Sequence, residues 1–410
     1  MNDAPVVQAT RFVGIDLHKD YVMIGAVDAQ QQIVLSPRRC RLFEVEQWRA
    51  KYLLATDAVV LEATSNAWTL YDQLVPHVCS VTVAHPLLVK LITTARVKTD
   101  SQDTLKLARL LAAGLIPAVW VPPLIVRELR GLVAHRGRLV NLRTQARNRL
   151  HAILHRHALP PPDGGLFAQK QRVWWEKLSL SATERLRARQ DLALLDYVEP
   201  QLTELERELL RLSTTAPWAD QVPFLVQLPG VGVLTAMVLL SAIGEIERFP
   251  SAKHLVGYSG LGARVHASGQ TFRTGGITKQ GRRELRAALV EAAWMAVEHS
   301  EHWRTTFERL ATRTGRQKAI VAIARKLLVV VWHVLSKQQA DRHTDAEHVA
   351  RKFLTWGTQE RTATQQGLSR PAFVRQQLDR LGTAADLQTF VYNGQKVVLP
   401  PSALKPVTAS

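Results

Sequence analysis

Five short apolar runs crowd into the first 84 residues, and two of them carry an acid at their downstream end. Arg11–Leu17, Tyr21–Val27 and Gln32–Leu35 follow one another with only turns between them; Ala58–Ala63 and Ser80–Ala84 come later. Short apolar runs bounded by turns read as strands. Val45–Leu54 and Ala67–Val75 read as helices, and further helices near Leu87–Arg96 and Ser101–Ala113 close the series. Three strands in succession, then helix and strand in alternation, require an α/β layer with a mixed sheet. Pro117, Pro122 and Pro123 punctuate its end.

Beyond that layer the pattern turns helical. Between Val126 and His157 eight arginines (Arg127, Arg130, Arg136, Arg138, Arg143, Arg147, Arg149 and Arg156) accompany a single acid, Glu128. After the loop Pro160–Gly165, Ala182–Leu212 is helical and more acidic. Leu202, Leu205, Leu209 and Leu212 fall at a/d spacing, so the segment is either part of a helical bundle or a dimerising coil. Pro200 is expected to start or break that helix. From about Val222, two apolar helical patterns flank Leu228-Pro229-Gly230-Val231-Gly232, a Gly-, Ser- and Thr-rich basic loop spans Gly257–Gly281, and helices continue to about Leu335. The expected organisation is residues 1–124 as an α/β domain, 125–215 as a basic helical hairpin or coiled coil, 216–337 as a mainly helical domain, and 338–410 as an extension of unknown role.

Charge narrows the partners. Lys and Arg number 53 against 35 Asp and Glu, a net +18 with a pI near 10.3. Such a surplus favours a polyanion, because each neutralised phosphate releases condensed counterions. A membrane is the poorer candidate: the longest apolar stretches, Leu105–Val126 and Ile320–Leu335, are interrupted by Arg109 and by Arg325 and Lys326. No apolar core precedes Arg11 to suggest a signal peptide, and Cys40 and Cys79 are too few for a disulfide framework or a thiolate zinc site. A cytoplasmic protein is expected.

The acids suggest the chemistry. Asp16 closes Val13-Gly14-Ile15-Asp16 and Glu62 closes Val59-Val60-Leu61-Glu62; an acid ending an apolar strand is costly unless exposed or paired. Asp100 and Asp103 stand three apart at the start of a helix and share one face. In an RNase H-like fold these are the places of the metal ligands. Hard oxygen donors suit Mg²⁺, which can activate an attacking oxygen on DNA and stabilise a leaving one. Taken alone, Asp100 could simply cap its helix and Asp103 complement its dipole.

Gly14-Ile15-Asp16-Leu17-His18-Lys19, Leu61-Glu62-Ala63-Thr64 and Lys98-Thr99-Asp100-Ser101-Gln102-Asp103 resemble the DEDD signature of bacterial insertion-sequence transposases. That family joins a RuvC-like domain to a serine-bearing transposase domain and includes Piv-type invertases and bridge-RNA-guided recombinases. The resemblance covers roughly residues 11–335. It implies Asp16, Glu62, Asp100 and Asp103 as a Mg²⁺-binding tetrad, DNA and a structured guide RNA as partners, and dimers pairing into a tetramer.

The second half strengthens the likeness. Phe224–Gly244 resembles a helix-hairpin-helix turn, whose glycines let backbone N–H groups approach a phosphate. Tyr258-Ser259-Gly260-Leu261, Arg264-Val265-His266-Ala267-Ser268-Gly269 and Gly275-Gly276-Ile277-Thr278-Lys279-Gln280-Gly281 are similar to the family's second block, and Ser268 matches its catalytic serine. Six basic residues between Arg264 and Arg286, against Glu284 alone, could stabilise a phosphorane-like transition state. A phosphoserine link conserves phosphodiester energy, in keeping with a chain that has no ATP-binding P-loop. The two domains would then build one composite site.

Candidate nucleic-acid contacts are Arg127, Arg130, Arg136, Arg143 and Arg147 on the basic helix, and Arg264, Arg273, Lys279, Arg282 and Arg283 around the serine. His151, His155 and His157 read as a solvated or RNA-facing surface rather than a metal site, and Trp174 and Trp175 as buried rather than base-stacking. Two rival functions use the same residues. One is a hydrolytic nuclease of the Holliday-junction resolvase type, with water as nucleophile. The other is a non-catalytic nucleic-acid binder.

Overall fold

The computed structural model describes residues 9–92, 99–268 and 271–404. It divides into two compact units, Met1–Pro123 and Leu124–Ser410.

The first unit runs β1 (Arg11–Leu17), β2 (Tyr21–Val27), β3 (Ile33–Arg41), α1 (Val45–Tyr52), β4 (Asp57–Glu62), α2 (Ala67–Leu74), β5 (Ser80–Ala84), α3 (Pro86–Ile92) and α4 (Asp100–Ala112). Its mixed sheet has the order β3-β2-β1-β4-β5, antiparallel on the β3 side and parallel from β1 to β5. β3 is longer than its apolar residues suggest. Ser36-Pro37-Arg38-Arg39 does not read as a strand, but an edge position tolerates both the proline and the charges.

Period-two alternation splits the central strands cleanly. Val13, Ile15, Val59 and Leu61 face a core completed by Trp48, Ala67, Leu70 and Leu74 from α1 and α2. The other face receives α4, where Val60, Ala84, Val89 and Leu107 form a second cluster. Gly14 makes that docking possible. A Cβ there would lie 2.0 Å from the Thr104 carbonyl oxygen, so the helix crosses β1 at a distance that no side chain allows. Gly25 is its register partner on β2 and lies beneath Thr104 and Leu105.

The second unit opens with two long helices, α5 (Leu124–Arg156) and α7 (Ala182–Leu212), packed against each other with the short α6 (Arg172–Lys177) between them in sequence. The a/d leucines therefore serve an intrachain hairpin: Leu202 packs with Leu139 and Val198, with Leu205 beside them. Contrary to expectation, Pro200 lies inside α7 without ending it. An interior proline costs about 3 kcal/mol of helix propensity. Here the neighbouring Leu195, Val198 and Leu202 are buried, so packing outweighs propensity.

The unit continues with α8 (Val222–Val226), α9 (Val233–Ile243), α10 (Ala252–Ser259), β6 (Ala263–Ser268), β7 (Thr271–Ile277), α11 (Arg283–His299), α12 (Glu301–Thr314) and α13 (Arg316–Lys337). The stretch read as a basic loop is thus the end of a helix and a two-stranded antiparallel hairpin. Its exposed Val265 and Phe272 leave it without the apolar face that makes a strand legible. α13 is long and apolar enough to cross a membrane, yet half of its apolar window is buried and it packs against α8, α10, α11 and α12, as a core helix does. Residues beyond it form α14 (Ala346–Thr358), α15 (Thr362–Gln365), α16 (Arg370–Arg380) and the hairpin β8 (Thr389–Tyr392) and β9 (Gln395–Val398), with α14 and α16 against α8.

Candidate active site

The parallel pairing of β1 with β4 sets Ile15 beside Leu61. One residue further, Asp16 and Glu62 leave the two strands toward the α4 side. α4 then supplies Asp100 and Asp103 from its first turn, where the helix dipole favours negative charge. The helix is capped by Thr99, whose hydroxyl accepts from the Gln102 N–H at 3.3 Å, so Asp100 is not spent as the cap.

The tightest group among the described residues is Asp16, His18 and Asp100, with one ligand atom of each lying within 4.8 Å of the others. His18 Nε2 is 3.1 Å from Asp16 Oδ2 and 3.4 Å from Asp100 Oδ2. The Tyr21 hydroxyl donates to Asp100 Oδ2 at 2.8 Å. Asp103 pairs with Lys106 at 2.9 Å, and its charge still reaches Asp16. Glu62, at the end of β4, stands outside the tight group. Four acids expected together thus appear as a close pair with two neighbours. His18 and Tyr21 enter as residues that the acidic pattern did not single out. Their signal was periodicity: His18 follows Asp16 by two, and Tyr21 begins the adjacent strand on the α4 face.

Burial raises the Asp16 carboxyl above its ordinary range; His18 opposes this by charge and hydrogen bond, while the charges of Asp100 and Asp103 add to it. Asp57, at the other end of β4, shows the contrast. It is fully buried but holds Arg11 at 2.8 and 2.9 Å and accepts the Leu54 N–H at 2.8 Å, as a structural acid should. Asp16, Asp100 and their neighbours keep negative charge that a divalent cation would neutralise, and carboxylate oxygens suit one. The donor set fits an ion, with Asp16 and Asp100 as its nearest holders.

In the second unit, Ser268 closes β6 in register with Thr271. Its side chain, with Gly269 and Gln270, lies outside the described residues, as do Lys98 and the end of the helix expected at Leu87–Arg96. Ser259 is buried, donates to the Val256 carbonyl at 2.8 Å and accepts the Leu261 N–H at 3.2 Å, which accounts for it structurally. Arg264, Arg273, Lys279 and Arg283 are exposed; Arg282 donates to the Tyr258 hydroxyl at 3.1 Å.

The arginines of α5 lie differently from the expectation of an open cationic stripe. Arg136 pairs with Glu206, Arg143 and Arg147 with Glu199, Arg149 with Asp191, and Arg156 with Glu184, all on α7. Arg130 donates to the carbonyls of Ser241 and Ala242 in the buried last turn of α9, and burial pushes its guanidinium down to about 10. Arg127 is partly buried beside them in sequence. Trp175 is buried and donates to Leu166, with Trp174 packed beside it. His151 meets the Phe167 ring edge-on, and His155 and His157 are exposed.

The glycine turn between α8 and α9 is fixed by close packing. At Gly230, with φ +77°, a Cβ would lie 2.1 Å from the Ala292 carbonyl oxygen, so the turn packs against α11 at a distance that only glycine allows. Gly232 alone is open.

Residues 13–158 match the DEDD transposase family of IS110 type, and residues 223–308 match the transposase IS116/IS110/IS902 family. The chain belongs to this family of insertion-sequence transposases. Among its relatives, the transposase for insertion sequence element IS1111A of Coxiella burnetii is 24% identical over 81% of this chain and 91% of its own. The pilin gene-inverting protein of Moraxella bovis is 27% identical over 80% of this chain and 96% of its own. A putative transposase, y4qE, of Sinorhizobium fredii is 30% identical over 57% of each. The two matched segments of this transposase contain every acid of the tight group and the serine hairpin.

Proposed function

We propose that the chain is a site-specific DNA recombinase of an insertion sequence, cutting and rejoining strands through a phosphoserine link at Ser268. The observation that carries this reading is the convergence of Asp16 and Asp100, 84 positions apart, into one carboxylate–imidazole group within a transposase family. The sheet order β3-β2-β1-β4-β5, with acids at the downstream ends of β1 and β4, supports an RNase H-like fold for the first unit.

Asp16 and Asp100 hold the divalent ion, with Glu62 and Asp103 completing its surroundings; Mg²⁺ is the ion that an oxygen-rich site suits. When bound, the ion polarises the scissile phosphate and favours the ionised form of an attacking hydroxyl. Tyr21 fixes the Asp100 carboxylate. The Ser268 oxygen attacks phosphorus, a P–O bond to serine replaces the one to the leaving strand, and reversal with a new strand end reseals DNA without ATP. Exposed Arg264, Arg273, Lys279 and Arg283 on and around the serine hairpin grip the backbone phosphates. The α5 arginines act chiefly within their own hairpin, with exposed Arg138 left to meet a phosphate. Action on DNA places the protein in the cytoplasm, and exchange between two duplexes calls for a homo-oligomer. A guide RNA enters this reading from the family resemblance alone.

The test is a covalent-adduct assay on the full chain with Mg²⁺, the element's DNA ends and the flanking transcript. A protein–DNA adduct is expected, absent in Ser268→Ala and in Asp16→Asn. Free nicks that persist in Ser268→Ala would assign the chain to resolvase-type hydrolysis instead. Binding without any cleavage would leave only a nucleic-acid binder.

A further inference from the structure

We propose that His18 is a nitrogen ligand of the divalent ion, making the centre a mixed carboxylate–imidazole site that takes Mn²⁺ in preference to Mg²⁺. This rests on the reading above that Asp16 and Asp100 hold a metal.

The geometry is that of a coordination edge. Two ligand atoms each about 2.1 Å from an ion and at right angles to one another are separated by about 3.0 Å. His18 Nε2 lies 3.1 Å from Asp16 Oδ2 and 3.4 Å from Asp100 Oδ2. One nitrogen therefore faces one oxygen of each carboxylate, at separations that a shared ion needs little movement to meet.

The imidazole is also held in place. Its ring stacks on Tyr21 with centroids 4.3 Å apart and planes at 17°. The Arg39 guanidinium lies 3.9 Å from the centroid of the same tyrosine ring. Tyr21 in turn donates to Asp100 Oδ2 at 2.8 Å, which leaves the second lone pair of that oxygen available. One tyrosine thus orients two of the three ligands, as groups behind a metal's ligands do. Its own hydroxyl supports Asp100 and its ring face supports His18.

Imidazole changes which ion the site prefers. Mg²⁺ favours all-oxygen surroundings and binds nitrogen poorly, whereas first-row transition ions accept imidazole readily. Mn²⁺ takes both donor types, and it is paramagnetic, so the nitrogen can be seen directly.

Full-length protein titrated with MnCl₂ and followed by electron paramagnetic resonance, with spin-echo modulation to detect bound ¹⁴N, tests the assignment. The expected result is Mn²⁺ binding at least about tenfold tighter than Mg²⁺ in competition, with nitrogen modulation in the wild type. In His18→Gln the modulation disappears and affinity falls about tenfold or more. Tyr21→Phe keeps the nitrogen signal and weakens binding by about tenfold, as loss of a partner behind the ligands does. Mn²⁺ bound without nitrogen modulation, yet lost in Asp16→Asn, would overturn the histidine assignment and leave the carboxylate centre standing. Binding unchanged by Asp16→Asn would overturn both.

Discussion

Residues of one type do different work here according to how many donors surround them. Asp57 and Asp16 both sit in the first unit's sheet, but Asp57 is neutralised by Arg11 and the Leu54 N–H while Asp16 faces two further acids. Gly14 acts by what it lacks. Gly14→Ala would drive a methyl into the Thr104 carbonyl and lift α4 off β1; a loss of about 1–3 kcal/mol or more is expected, together with weakened metal binding as Asp100 withdraws. Gly25→Ala is the control, since its nearest obstacles, 3.3 Å away, are the ends of the Leu105 and Thr104 side chains. Thermal melts followed by circular dichroism check this, and equal losses in the two variants would contradict the special role of Gly14.

Among the elements, the α5–α7 hairpin shows charge used for assembly. Its arginines look like a polyanion-binding stripe while α5 is read alone, and like interhelical pairs once α7 lies against it. Glu199 holds both Arg143 and Arg147, at 3.5 and 2.6 Å. Glu199→Gln is expected to weaken the second unit by only about 0.5–1 kcal/mol, because the pairs are half-exposed. The same change should raise non-specific DNA affinity a few-fold and steepen its salt dependence, as two cations become available to phosphates. Fluorescence anisotropy with labelled duplex across a salt series measures this; an unchanged slope would mean that the pairs already yield to DNA.

At the scale of the whole second unit, residues beyond 337 are tied to its centre through the α8–α9 turn. Gln227 accepts from the Asp341 N–H and the Thr344 hydroxyl, each at 3.0 Å, and the Lys352 ammonium donates to the Leu228 carbonyl at 2.6 Å. Lys352 is half-buried as a residue, and burial of its ammonium lowers its pKa from 10.5 to about 7. The unfolded chain protonates this lysine below about pH 10.5, the folded one only below about 7, so stability falls as pH drops through that window and is flat beneath it. Lys352→Met should therefore raise the melting temperature by several degrees at pH 6.5, with the gain shrinking toward pH 10. A gain independent of pH would show the ammonium to be solvated.

The α/β layer, its strand succession, the two acids ending strands, the basic surplus and the family likeness were all legible in the amino-acid order, because period-two alternation and acids at apolar strand ends are local patterns. Local patterns also placed α7 and the helix that Asp100 begins, though not the continuation of α7 through Pro200, which its buried flanks enforce. Other features depended on residues far apart in the chain. His18 joined the acids only once β1, β2 and α4 had come together, Gly230 met the Ala292 carbonyl only once α11 packed on its turn, and the arginines of α5 found their partners on α7. Distance in three dimensions decides which charges meet, and a one-dimensional string encodes it only through the packing it produces.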